Sequence, residues 1–227
     1  EAMDYIKEAL GRGEIGSESN VWNVAKKMGF TYDTAKTINE NADALAHYIA
    51  VRDTWYKKDD NGNYTFEGTK NFLNAVEAAV AKSDTLRDKV KWLYNDSTGT
   101  LDIDFNNADW DEIVKILSET DELAGLTSEE FADLMIQVGQ FFNIKWGDAS
   151  DIESYLNTVM KSSDTAAGKL EEITDTVSAF YKQTTGKEID LGSLTEAGIN
   201  ALDCDDSLKQ LLQTYLDLKD QLGDPLN

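Results

Sequence analysis

The chain has 227 residues, a formal net charge of −22, 41% hydrophobic residues and 10% aromatics. That length and apolar share suffice to bury a core and exclude a disordered chain, while the charge repels nucleic acid and anionic lipid surfaces. The charge is uneven: residues 1–100 carry 13 basic and 16 acidic side chains, and residues 101–227 carry 8 and 27.

In chain order, Tyr5, Ile6, Ala9 and Leu10 fall at helical spacing before Gly11 and Gly13. Residues 13–16 read as a very short strand. Ser19 caps a helix carrying Val21, Val24, Ala25 and Met28, which Gly29 ends, and Thr31 caps a long helix with Ile38, Leu45 and Ile49 inward. Residues 55–66 form the clearest hairpin in the chain, because Asn61-Gly62 suits a tight turn that needs positive φ. A helix with Phe72, Val76, Ala79 and Val80 follows, and Ser83 or Asp84 caps the next, with Leu86 and Val90.

Residues 90–146 organise the rest. Val90, Trp92 and Tyr94 alternate, as do Leu101, Ile103 and Phe105 against Asp102 and Asp104, and Asn95-Asp96-Ser97-Thr98-Gly99 between them is turn chemistry. A hairpin results, with a helix end over 91–94 as the competing reading. Trp110, Ile113, Val114 and Leu117 mark a helix whose first turn holds Asp109, Asp111 and Glu112, where the helix dipole favours negative charge. Gly125 stops this segment, and Thr127 with Glu130 forms a capping box ahead of Phe131, Leu134, Met135 and Val138. Residues 142–146 alternate again as a strand.

Beyond Gly147, the candidate subdomain boundary, Ile152, Tyr155, Leu156 and Val159 mark one helix. Ser162-Ser163-Asp164 then caps another with Leu170, Ile173, Val177 and Phe180. Residues 184–186 turn, 188–191 read as a short strand, Thr195 caps a short helix, and Asp203 or Asp205 caps the last, from Leu208 to Leu222, ended by Gly223 and Pro225. The expected fold is mainly α with small β-hairpins, in repeated β-hairpin–helix–helix, winged-helix-like modules. Units begin near Gly13, Asn63, Thr100 and Glu188. Three tandem modules fill 1–146, and 147–227 is a helical subdomain with a short strand and a C-terminal helix.

No constellation spells out a chemistry. Asp59, Asn61 and Asn63 are the weak calcium candidates, since calcium takes oxygen ligands at alternate positions; Gly62 and Lys70 do not fit the EF-hand spacing, and a plain turn explains the same residues. Asp203, Asp205 and Asp206 make a second acidic knot that helix capping accounts for. Glu129/Glu130 and Asp102/Asp104 read as solvated pairs. His47, the sole histidine, lacks the partners of a triad or a zinc site, and Cys204, the sole cysteine, cannot form an internal disulfide. Its flanking aspartates are expected to raise its pKa. A helix–turn–helix with a hairpin has the order of a winged helix, but the carboxylates starting the would-be recognition helix would face phosphates. No cofactor is expected, no apolar run reaches membrane-span length, and the start at Glu1 reads as a piece of a longer chain.

The hairpin at 92–105, the amphipathic helix after it, and Leu123-Ala124-Gly125-Leu126-Thr127-Ser128-Glu129-Glu130-Phe131 leading the second helix together resemble the modular segments of phage tail tape measure proteins from prophages of Gram-positive bacteria. Residues 28–35 and 188–222 look similar. The resemblance implies a non-enzymatic structural protein of the virion tail, assembled in the bacterial cytoplasm and setting tail length, with tail tube or tip proteins as partners. A secreted or surface acidic binding module with weak calcium sites is the alternative expectation.

Overall fold

The computed structural model describes residues 2–13, 15–106 and 108–223. At its centre lies the hairpin that the alternation predicts. Strand β1 (Lys91–Asn95) pairs antiparallel with β2 (Thr100–Asp104), with Trp92 opposite Ile103 and Tyr94 opposite Leu101. The Asn95 side chain accepts from the Ser97 N–H at 3.0 Å and closes the turn. Strand β3 (Asn143–Trp146) joins as a third strand parallel to β2, so the sheet order is β1-β2-β3. Period-two alternation then puts Trp92, Tyr94, Leu101, Ile103, Ile144 and Trp146 on one face, with Leu93, Asp102 and Lys145 on the other.

A parallel pair needs a long crossover. Here α6 (Trp110–Ser118), a 3₁₀ turn at Asp121–Leu123 and α7 (Ser128–Phe141) supply it. Asp109 caps α6 by accepting from the Asp111 N–H at 2.9 Å. Thr127 and Glu130 form the expected capping box on α7.

The protein is mainly helical, at 65% helix. Helices α1 (Ala2–Arg12), α2 (Val21–Lys27), α3 (Ile38–Trp55), α4 (Phe66–Lys82) and α5 (Asp84–Lys89) precede the sheet. Helices α8 (Ala149–Val159), α9 (Ala166–Thr185), α10 (Glu196–Asn200) and α11 (Asp206–Leu222) follow it. Most of the predicted apolar stripes are buried, but Tyr5 is exposed, and Ala9, Leu10, Val24, Met28, Ile38 and Leu222 are only half-buried.

Repeated winged-helix modules are not confirmed. One three-stranded sheet is present among the described residues, and it belongs to the unit starting at Thr100. Residues 55–66 make a tight loop between α3 and α4 with a single bridge, Lys58 to Tyr64, because helix takes both ends of the expected hairpin. Residues 188–191 form no strand: Asp190 accepts from the Gly192 N–H at 3.0 Å and starts a 3₁₀ turn at Leu191–Ser193, with Leu191 as a buried plug. Residues 15 and 16 have no regular structure, and Glu14 and Pro225 lie outside the described residues.

The long helix starts at Ile38 rather than after Thr31. The buried Asn41 side chain accepts from the Asp33 N–H at 2.8 Å and donates to the Asp33 and Thr37 carbonyls, both at 2.9 Å. That staple holds residues 33–37 as a loop, and Thr37 with Glu40 makes the capping box instead. Thr165, not residues 162–164, caps α9. Asp205 precedes α11 without a side-chain cap bond.

The apolar core does not divide at Gly147. One cluster runs from Trp55 through both sides of Gly147 to Leu218. A second, smaller cluster holds Ile6, Val21, Ala25, Phe30, Leu45, Tyr48 and Ile49. The division falls along α3, whose Leu45, Tyr48 and Ile49 belong to the small cluster and whose end, Trp55, belongs to the large one.

Candidate functional site

Asp59, Asn61 and Asn63 do come together, but as a closed turn. Asp59 Oδ1 accepts from the backbone N–H of Asn61 and of Asn63, each at 2.9 Å, and the Asp59 N–H donates to the Asn63 carbonyl at 2.9 Å. The backbone donor of Asn63 first, then that of Asn61, holds the Asp59 carboxyl below its usual range. Calcium needs six to eight free oxygens, and the turn has already engaged its best ones. Among the described residues no group of three or more His, Cys, Asp or Glu side chains could hold a metal.

The other sequence candidates are dispersed. Asp206 sits in the first turn of α11, where the helix dipole favours it. Cys204 is half-buried, and burial rather than its aspartate neighbours is the main reason its thiol is pushed up. His47 is exposed on α3, with Nε2 2.9 Å from the Asp121 carbonyl. Asp104 accepts from the Asn106 N–H at 2.8 Å. Glu130 corrects the expectation of a solvated pair, since it closes a clamp on a buried arginine.

That arginine is Arg52, 1% exposed. Its Nε and Nη2 donate to Glu130 Oε1 and Oε2 at 3.2 and 3.1 Å, the bidentate geometry that guanidinium and carboxylate share. Nη1 donates to the Ala124 carbonyl at 2.8 Å, and the guanidinium carbon lies 3.3 Å from the Tyr48 ring centroid. Tyr48 in turn donates to the Met28 carbonyl at 2.8 Å. The clamp therefore ties the small cluster on α3 to the turn before α7. Gly125 makes room for it: its φ is +66°, and a Cβ there would stand 2.8 Å from the Tyr48 ring. The sequence carried a signal for Arg52, because it occupies the core position of the stripe Leu45, Tyr48, Ile49, Trp55.

Two further acids sit where burial raises their pKa. Asp151, at the start of α8, is 2% exposed and accepts from the Phe105 N–H at 3.3 Å. Burial pushes it up to about 6, with Asp148 and Asp104 adding to the effect. Glu172 on α9 accepts from the Tyr155 hydroxyl at 2.9 Å and the Thr176 hydroxyl at 3.3 Å. Burial pushes it up to about 7, and Asp175 and Asp164 push the same way. Asp151 falls on the buried stripe of α8, at i−4 from Tyr155, and half-buried Glu172 flanks the buried stripe of α9, at i−4 from Thr176.

Glu172 opens into a cleft of about 250 Å³ between the end of α7, β3 and α9, walled by Phe142, Ile144 and Trp146 and rimmed by Asp175. Glu172 and Asp175 are three residues apart on one helix, so both reach anything in the cleft from the same side. A glycoside hydrolase places its acid and base on opposite sides of the scissile bond, an arrangement this pair lacks.

No protein-family model, curated protein or solved structure matches the chain. No helix among the described residues is long and apolar enough to cross a membrane.

Proposed function

We propose that the chain is a non-enzymatic structural segment of a phage tail tape measure protein, acting in tail assembly through contacts with tail tube or tip proteins. The observation that carries this reading is the use made of polar residues in the resembling stretch, 92–134. Asn95 closes a turn, Asp109 caps α6, Thr127 and Glu130 cap α7, and Glu130 also clamps Arg52. These groups hold secondary structure and link α3 to α7, as a scaffold requires. The outer surface carries the remaining acidic charge, suited to basic faces of assembly partners.

In-frame deletion of this segment from the source phage tests the reading. Electron micrographs are expected to show tails absent or altered in length. Normal tails, at normal frequency and length, refute it.

A further inference from the structure

We propose that the cleft between the end of α7, β3 and α9 is a binding site for a primary ammonium or guanidinium group, seated against the Glu172 carboxyl and the Trp146–Phe142 wall. This proposal does not rest on the tail reading.

Charge around the cleft is unbalanced. Glu130 is answered by Arg52 at 3.1 Å. Glu172 has no basic partner among the described residues. Its polar neighbours are the hydroxyls of Tyr155, from α8, and Thr176, from α9 itself, and both bond the same oxygen, Oε1. Oε2 has no donor among the described residues. The charged groups that bear on it are Asp175 on α9 and Asp164 before it, both acids. The nearby Lys169 turns away and donates to the Met160 carbonyl at 2.9 Å. On the α7 side the chain presents Gly139, where a Cβ would stand 3.6 Å from Glu172 Oε1, and on the β3 side it presents Ile144 and Trp146. No basic side chain from these elements lines the cleft.

The walls match the same ligand class. Phe142 and Trp146 line the cleft, each 5% exposed, and Trp146 packs at a tilt on Tyr155 with ring centroids 4.8 Å apart. A cation beside a carboxylate and over an aromatic wall gains from both, more so where water is partly excluded. An anionic ligand would meet two carboxylates, and a neutral apolar one would leave Glu172 Oε2 without a donor. The raised pKa of Glu172 has a consequence for binding: a cation must displace a proton there, so affinity should rise with pH through neutrality.

The test is a titration of the full chain by two-dimensional amide NMR, reading the Trp146 indole N–H and the Gly139 amide. The probes are n-butylammonium chloride, neutral n-butanol at matched salt, N-acetyl-arginine amide, and a glycine peptide holding one lysine. The expected result is saturable shifts for the cations with Kd of roughly 1–10 mM, none for n-butanol, and weaker binding at pH 5 than at pH 8. Tighter binding of the peptide identifies a partner's side chain as the natural occupant; binding of n-butylammonium alone identifies a small free amine. Glu172→Gln, which keeps the side chain's shape, should abolish the shifts, with its melting temperature confirming that it folds. Gly139→Ala, which narrows the mouth at ordinary contact distance, should weaken them. No saturable shift with any cation, or equal shifts with Glu172→Gln, overturns the proposal.

Discussion

Replacing Arg52 by Met removes the guanidinium while keeping most of the volume of the side chain. Glu130 then loses two charge-assisted bonds and Ala124 loses its donor. Breaking a buried ion pair from one side costs roughly 3–5 kcal/mol. Glu130 is 20% exposed and keeps its bond from the Thr127 N–H at 3.1 Å, so water and the cap soften the loss and the lower end, about 3 kcal/mol, is expected. Glu130→Gln keeps the capping box, since glutamine serves at that position, but leaves Arg52 without a counter-charge. The double variant should therefore be less destabilised than the sum of the singles, by about 1–2 kcal/mol. Urea unfolding followed by tryptophan fluorescence and far-ultraviolet dichroism measures all four proteins. Hydrogen exchange should locate the damage in α1, α2 and the part of α3 that carries Leu45, Tyr48 and Ile49, the elements of the small cluster. Strict additivity, with Arg52→Met within about 1 kcal/mol of the parent, would show the clamp to be surface ornament and refute the reasoning.

The pH dependence of stability should run opposite to that of a protein held by ionised carboxylates. Asp151 and Glu172 have folded pKa values above their unfolded ones, so the folded state binds the extra protons and stability falls as pH rises from about 4 to 7. Raising a carboxyl that far corresponds to roughly 3 kcal/mol each as an upper bound. Asp111 and Glu122, held low chiefly by Lys161 and Lys82, lose their contribution only in stronger acid. Melting temperature should therefore peak about pH 4, and Asp151→Asn should flatten its decline toward pH 8; a maximum above neutrality contradicts this. Gly125→Ala should cost about 2–4 kcal/mol, because positive φ and the Tyr48 ring both oppose a Cβ. Gly99→Ala, at φ +65° in open space, should cost only about 1 kcal/mol by thermal melting. Equal costs would mean the approach of Gly125 to Tyr48 is not tight. Millimolar calcium should leave the melting temperature unchanged; a saturable rise that Asp59→Asn removes would make the 59–63 turn a ligand shell after all.

Helical periodicity and capping signals were legible because they are local. Trp110 through Leu117, the Thr127–Glu130 box and the stripe of α11 could be read without knowing the fold. Pairing partners were not. Residues 142–146 read as a strand, but nothing local says that they pair parallel with β2 after a two-helix crossover. The turn at 59–63 was correctly placed by Asn61-Gly62, while the extent of the flanking strands depends on where α3 and α4 end, which packing against the core decides. Residues 33–37 misled for a similar reason, since Asn41 reaches back eight residues to hold them open. The cleft was hidden because Glu172 reads as one acid among 43. Its position beside the buried stripe of α9 is the signal that a count of charges misses.

Purified tails give the most direct test of the structural role. Particles released from the source bacterium can be banded on a density gradient, and peptides of this chain quantified by mass spectrometry beside those of the tube and tip proteins. The chain should band with assembled tails at a few copies per particle and be depleted from particles that have ejected their DNA. Its complete separation from tail proteins across the gradient would contradict the account.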